Sequence, residues 1–253
     1  VNFILKIIIF EELFDSPHLS IVLFGKQSTM KSLALTSILL LLVSFCIAQD
    51  CKQFYYLQKN KTIEMTFYNK KGEESGKDIY NISDVQTSGT ETTATVNSEM
   101  FDKKGKSIAK STSNIKCNGG VMMMDMKMML PQQQVEQFKT GEAKADNMYL
   151  EYPSGMKVGD QLKDGNFTMT GQNGSMNYTI SLAITERKVE AQESVTTTAG
   201  TWQCFRITSK SHMNVKTVIG IPMNFETTEW YAPGFGVVKT ESKSGSTAIT
   251  SIK

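Results

Sequence analysis

Six of the ten residues in VMMMDMKMML, positions 121–130, are methionine. Three chemistries use such a run. Thioethers are soft ligands, so M-x-M spacing can hold Cu(I). Methionine is flexible and polarisable, so it lines surfaces that accept variable apolar partners, and it fills irregular cores for the same reason. As a strand, Met122, Met124, Met126 and Met128 share one face, while Val121, Met123, Asp125, Lys127 and Met129 share the other. Four thioethers along a strand face span too far to share one ion, and neither cysteine nor histidine stands beside the run. No metal and no cofactor is expected. Core filling needs the fewest assumptions. The functional candidate is an apolar ligand surface at Met122, Met124, Met126 and Met128, with Phe138 and Trp230 as neighbours.

Other catalytic chemistry has little to work with. The sequence lacks a G-x-S-x-G elbow, H-E-x-x-H, a Walker loop and a dinucleotide fingerprint. Only one of its histidines, His212, lies beyond position 48, too few for a triad or a multi-histidine metal site. Asp160, Asp164 and Glu186 read as surface charges. A two-carboxylate hydrolase needs no sequence proximity, but nothing in the spacing selects a pair. The protein is therefore expected not to be an enzyme. Lysine plus arginine (27) nearly balances aspartate plus glutamate (25) and no basic block occurs, which disfavours nucleic acid or an anionic membrane surface as the main partner.

The chemistry is delivered to a particular place. Met30-Lys31 precedes an apolar run, Leu33 to Ala48, after which the chain turns polar. This is the pattern of a secretory signal peptide over 30–48, cut after Ala48. Residues 1–29 read as an upstream extension from a start codon placed too early. The run is shorter than the roughly 20 residues of a spanning helix, so no transmembrane segment is expected in the mature chain. Phe45 before Cys46 argues against a lipoprotein. Residues 49–253 are expected to form a single exported domain, periplasmic or outer-envelope associated in a Gram-negative cell.

The elements within that domain follow from period-two alternation. In TIEMTFY, Ile63, Met65 and Phe67 fall on one face and Thr62, Glu64 and Thr66 on the other. Residues 78–85, 91–101, 107–117, 176–184, 202–209, 214–219, 225–231 and 237–242 read similarly. The expected fold is all-β: two curved antiparallel sheets, or an open barrel-like sandwich, with one short helix at 131–138 after proline 131. Two turns, FYNKKGEESGK and MFDKKGKSIAK, are near duplicates. Asn69 or Asp102 would bond back to the backbone, and Gly72 or Gly105 would take the positive-φ position. The lysines read as solvated tips. In an up-and-down meander, the start of the first strand and the end of the fourth lie on one side; a Cys51–Cys117 disulfide would fit there and leave Cys204 as a buried spare, although sequence alone does not fix the connectivity.

Several segments also resemble a known family. They are IKCNGGVMMMDMK, LEYPSGMKVGDQLKDG, ITERKVEAQESVTTTAGTWQCFRIT and EWYAPGFGVVKTES. The strongest part is T-A-G-T-W-x-C-F-x-I followed by E-W-Y-A-P-G-x-G-V-V-K. Together they resemble the DUF3108-like or TapB-family exported proteins of Bacteroidetes-type bacteria. The resemblance implies an extracytoplasmic β-rich domain and brings no catalytic residues with it. Three functions follow in order of expectation. A non-enzymatic envelope binding module for an apolar or lipid-like ligand requires a solvent-connected cavity. A structural or assembly protein of the envelope requires a filled core and an exposed patch or edge. A hydrolase requires two close carboxylates, one with a raised pKa.

Overall fold

The computed structural model describes residue 51 and residues 54–130, 142–143, 148–173 and 176–253. Among them, thirteen strands form one antiparallel sheet: β1 Thr62–Asn69, β2 Glu74–Ser88, β3 Glu91–Asp102, β4 Ser107–Asn118, β5 Val121–Asp125, β6 Glu142–Ala143, β7 Tyr149–Pro153, β8 Gly165–Asn173, β9 Met176–Thr197, β10 Gly200–Lys216, β11 Gly220–Ala232, β12 Gly236–Ser242 and β13 Gly245–Ile252. The order is β6-β8-β9-β10-β11-β12-β13-β1-β2-β3-β4-β5-β7. Two meanders are thus joined where β13 pairs with β1. The sheet curls until it is nearly closed into a barrel, the barrel-like alternative of the sequence reading.

Alternation favours the curl, because it gives most of the strands an apolar face to hide. Ile63 and Met65 of β1, Tyr80 and Ile82 of β2, Ala94 and Val96 of β3 and Ile115 of β4 are all buried. Both KKG turns form as expected. Asn69 Oδ1 accepts from the Lys71 and Glu73 amides, Asp102 Oδ1 accepts from the Lys104 and Lys106 amides, and Gly72 and Gly105 hold φ near +76° and +77°.

One end of the barrel is plugged. A 3-10 turn at Tyr55–Leu57 buries Tyr56 and Leu57. Phe235 stacks on Tyr55 at 5.1 Å and meets Tyr56 edge-on at 5.8 Å. A side chain at position 236 would place its Cβ 2.9 Å from the Tyr56 ring, so glycine is required there. The Cys51–Cys117 disulfide ties this plug to the end of β4, with Cα atoms 5.6 Å apart and 66 residues of separation. Replacing both cysteines with serine is expected to lower the unfolding free energy by about 2–4 kcal/mol, read from urea denaturation. Cys204 is buried, and desolvation, followed by nearby Glu193, pushes its thiol up to about 11. A thiol held so fully protonated is a packing group.

One side chain ties edge strand β7 to β9 and β11 across the interior. Glu186 adopts φ +52°, and the pairing of β9 with β10 slips between Thr208 and Lys210. This bulge inserts one residue and reverses which side chains face inward. Arg187 therefore enters the interior, with its side chain fully buried. Its Nη1 donates to the Glu151 carbonyl of edge strand β7 at 3.1 Å and to the Lys163 carbonyl at 2.9 Å. Its Nη2 donates to Glu229 Oε1 of β11 at 3.5 Å, and the guanidinium lies 4.8 Å from the Tyr152 ring centre.

Three expectations are corrected. The methionine strand, expected through 129, stops at Asp125, whose Oδ1 accepts from the Lys127 amide and starts a 3-10 turn at Met126–Met129. The separate strand at 214–219 does not exist: β10 runs unbroken to Lys216 and turns directly into β11. Strands β7, β8 and β13 stand where no strand was expected. The helix expected at 131–138 lies outside the described residues.

Candidate functional site

Inward faces that are apolar but narrow leave space between them. The barrel encloses a cavity of about 600 Å³, within the roughly 300–1,000 Å³ typical of small-molecule sites. The wall is rich in methionine: Met65, Met100, Met124, Met128, Met213 and Met223 all line it. Flexible thioethers suit a wall that must fit a chain of variable shape. Tyr56 of the plug and Leu150 of β7 contribute deeper in.

Register shows which turns gather at the end opposite the plug, the open end among the described residues. Asn69 faces Gly245, Gly76 faces Asp102, and Thr227 faces Ser242. The β1–β2, β3–β4 and β12–β13 turns therefore share the end opposite the plug. Phe67, Phe225 and Ser244 line the cavity towards that end. Exposed Lys70, Lys71, Lys103, Lys104 and Lys243 stand on its turns. A balanced composition thus hides a local concentration of lysine.

Two carboxylates interrupt the apolar wall. Glu229 has both oxygens engaged, Oε1 by Arg187 and Oε2 by the Tyr152 hydroxyl at 3.0 Å. Tyr152 in turn stacks on Tyr231 at 4.7 Å, nearly parallel. Asp78 is different. It is fully buried on β2, facing Met65 and Met100 across the strands. Ser98 Oγ lies 3.4 Å from its Oδ2, and Oδ1 has no hydrogen-bond partner. Burial is the dominant influence and pushes its carboxyl up to about 6, against the weaker pull of Ser98, Tyr80 and the Ile79 amide towards the charged form. Of these two, Asp78 keeps an oxygen without a hydrogen bond, whereas Glu229 is held by Arg187 and Tyr152.

The raised value has a measurable consequence. An aspartate has a pKa of about 3.9 in the unfolded chain, so between roughly pH 4 and 6 the native state binds more protons than the unfolded one. Stability contributed by this group is then lost as pH rises through that window. Asp78→Asn removes the slope. The stability of the variant relative to the native protein is expected to grow by on the order of 3 kcal/mol from pH 4 to pH 7, followed by urea denaturation. A constant difference would contradict the assignment.

The sequence-derived candidates divide. Met124 and Met128 line the cavity. Met122 and Met126 are buried beside it, Met122 accepting from the Tyr231 hydroxyl at 3.6 Å. Trp230 is buried but not part of the lining: its indole N–H donates to Glu193 at 2.6 Å, and Lys239 lies 4.6 Å from its ring centre. Phe138 lies outside the described residues. Asp78 and Glu229 were missed. Asp78 does share the period-two face of Tyr80 and Ile82, which was the available signal. Among the described residues, no three His, Cys, Asp or Glu side chains cluster to hold a metal, and no helix is long and apolar enough to cross a membrane.

The comparisons agree with this architecture. A Bacteroides fragilis protein described as exported and as having a YmcC-like fold is similar in structure, with a TM-score of 0.64 at 20% identity, covering 79% of this chain and 98% of its own. A Parabacteroides distasonis protein described as a lipoprotein gives 0.66 at 18% identity, covering 81% and 100%. At such identities the likeness concerns the fold alone. No curated protein matches the sequence. The family model described as DUF3108-like matches residues 58–253, nearly the whole of the barrel from the end of its plug onwards. The chain belongs to the DUF3108-like family.

Proposed function

We propose that this protein is a non-enzymatic binding module of the cell envelope that holds an apolar, lipid-like ligand inside its barrel. The cavity of about 600 Å³ carries the reading. Its lining is dominated by methionine and other apolar side chains and continues to the open end. A barrel that needed only stability would fill this space, because unfilled apolar volume is destabilising. The exported and lipoprotein descriptions of the two structural neighbours support an envelope location. The direct test is Nile red, whose fluorescence rises and shifts to the blue in apolar surroundings. Saturable binding of one molecule per chain is expected. Absence of saturable binding would remove the reading.

One observation favours an assembly role instead. The β10–β11 hairpin ends in exposed apolar residues: Val218 is 85% exposed, Ile219 75% and Ile221 62%. Exposed clusters of this kind mark contact surfaces. The assembly reading requires that the protein carry no ligand, and that serine at all three positions release it from the envelope.

A further inference from the structure

Asp78 is costly as it stands. A buried carboxylate normally has its oxygens satisfied, and the chain shows how it does this elsewhere. Asp125 is also fully buried, and its Oδ1 caps the Met126–Met129 turn; its Oδ2 makes no hydrogen bond either, but the Lys127 ammonium lies 3.2 Å away and pairs its charge. Glu229 has Arg187 and Tyr152. Asp78 forms no ion pair among the described residues, and its strand neighbours Met65 and Met100 offer no donor. Burial raises Tyr56 and Tyr80 well above the usual tyrosine value, so both stand neutral beside it; the Tyr80 hydroxyl and Ser98 are its side-chain donors, and Oδ1 is left without a hydrogen bond. The orphaned oxygen belongs to a residue that lines the cavity.

We propose that Asp78 is the anchor for the polar end of the ligand: Oδ1 accepts a hydrogen bond from a hydroxyl or ammonium group on an otherwise apolar molecule. The inference rests on the binding-module reading and narrows it. The wall supplies affinity for the chain without choosing among chains. A buried carboxylate oxygen without a donor supplies choice, because a ligand lacking a donor leaves that oxygen as unsatisfied as before; the serines and threonines of the wall, Ser209 and Ser211 among them, are hydroxyls that can donate as well as accept. Asp78 lies at mid-depth, between Tyr56 of the plug and Phe67 nearer the mouth. In such surroundings a hydrogen bond to a charged acceptor is stronger than in water.

The test uses three probes with the same ten-carbon chain, 1-decanol, decylammonium and 1-methoxydecane, each displacing Nile red from the full chain at pH 7.5. The ether lacks the donor. The alcohol and the ammonium are expected to bind at least about tenfold more tightly than the ether. Asp78→Leu should bring all three within about threefold of one another while still binding Nile red. Asp78→Asn, which keeps an acceptor but not the charge, should retain part of the alcohol preference and lose the advantage of the ammonium. Nile red binding with three equal probes would overturn the role of Asp78 and leave the cavity reading standing. A preference that survives in Asp78→Leu would do the same. Failure of Nile red itself to bind would overturn both.

Discussion

Replacing Arg187 with methionine is expected to lower the unfolding free energy by about 3–5 kcal/mol and Tm by roughly 6–20 °C. The substitution keeps length and apolar volume but removes a buried charge that several groups depend on. Glu229 would lose one partner while remaining buried, and the carbonyls of Glu151 and Lys163 would lose the donor they share. Arg187→Met combined with Glu229→Leu should recover part of the loss. Removing both ions of a buried pair is often neutral or favourable, but the two carbonyls remain without their donor. If Arg187→Met unfolds as the native protein does, the guanidinium does not tie β7 to β9 and β11.

The second large effect concerns binding. Ser211 is buried on β10 with its side chain towards the cavity. Ser211→Phe places a ring in the space and removes a buried hydroxyl, so the fold should tolerate it. Affinity for Nile red or a decyl-chain ligand should fall at least about tenfold, corresponding to about 1.4 kcal/mol. Met124→Trp enters the same cavity from β5 and should act in the same direction. If both variants keep full affinity, the ligand binds elsewhere on the surface. The exposed β10–β11 tip would then be the first alternative, examined with serine at Val218, Ile219 and Ile221.

The legible part of the sequence was the first meander. From Thr62 to Asn118 each strand alternates over much of its length, and the two KKG turns announce their geometry through Asn69, Asp102 and their glycines. That regularity also allowed the Cys51–Cys117 pairing to be inferred from turn count. The second meander was read only in pieces. In β9 the bulge at Glu186 shifts the phase of alternation, so the apolar residues before it and those after it belong to different counts. The same shift hid Arg187, which in T-E-R-K-V looks like one more solvated charge. Strand β13 was missed because its Ser, Thr and Ala side chains give little contrast between faces.

The candidate site was half visible. The methionine run reaches the cavity wall through Met124 and Met128, but four thioethers on one strand face was too regular a picture. Asp125 ends the strand by capping the next turn, so Met126 reaches the interior from a turn while Met128 lines the cavity. Most of the other lining methionines, such as Met65, Met100 and Met213, come from strands distant in sequence, and no local pattern could gather them. Asp78 was hidden by a good rule, that carboxylates face water. Its exception is what makes it informative.

The central claim, that the barrel is a container, is tested most directly by native mass spectrometry of the exported protein recovered from the cell envelope under non-denaturing conditions. The account predicts a population carrying one additional small amphiphilic molecule. That molecule should be absent from Ser211→Phe and released on denaturation as a species bearing a hydroxyl or amine. A native protein whose mass equals its polypeptide with one disulfide, with nothing bound in any preparation, would contradict it.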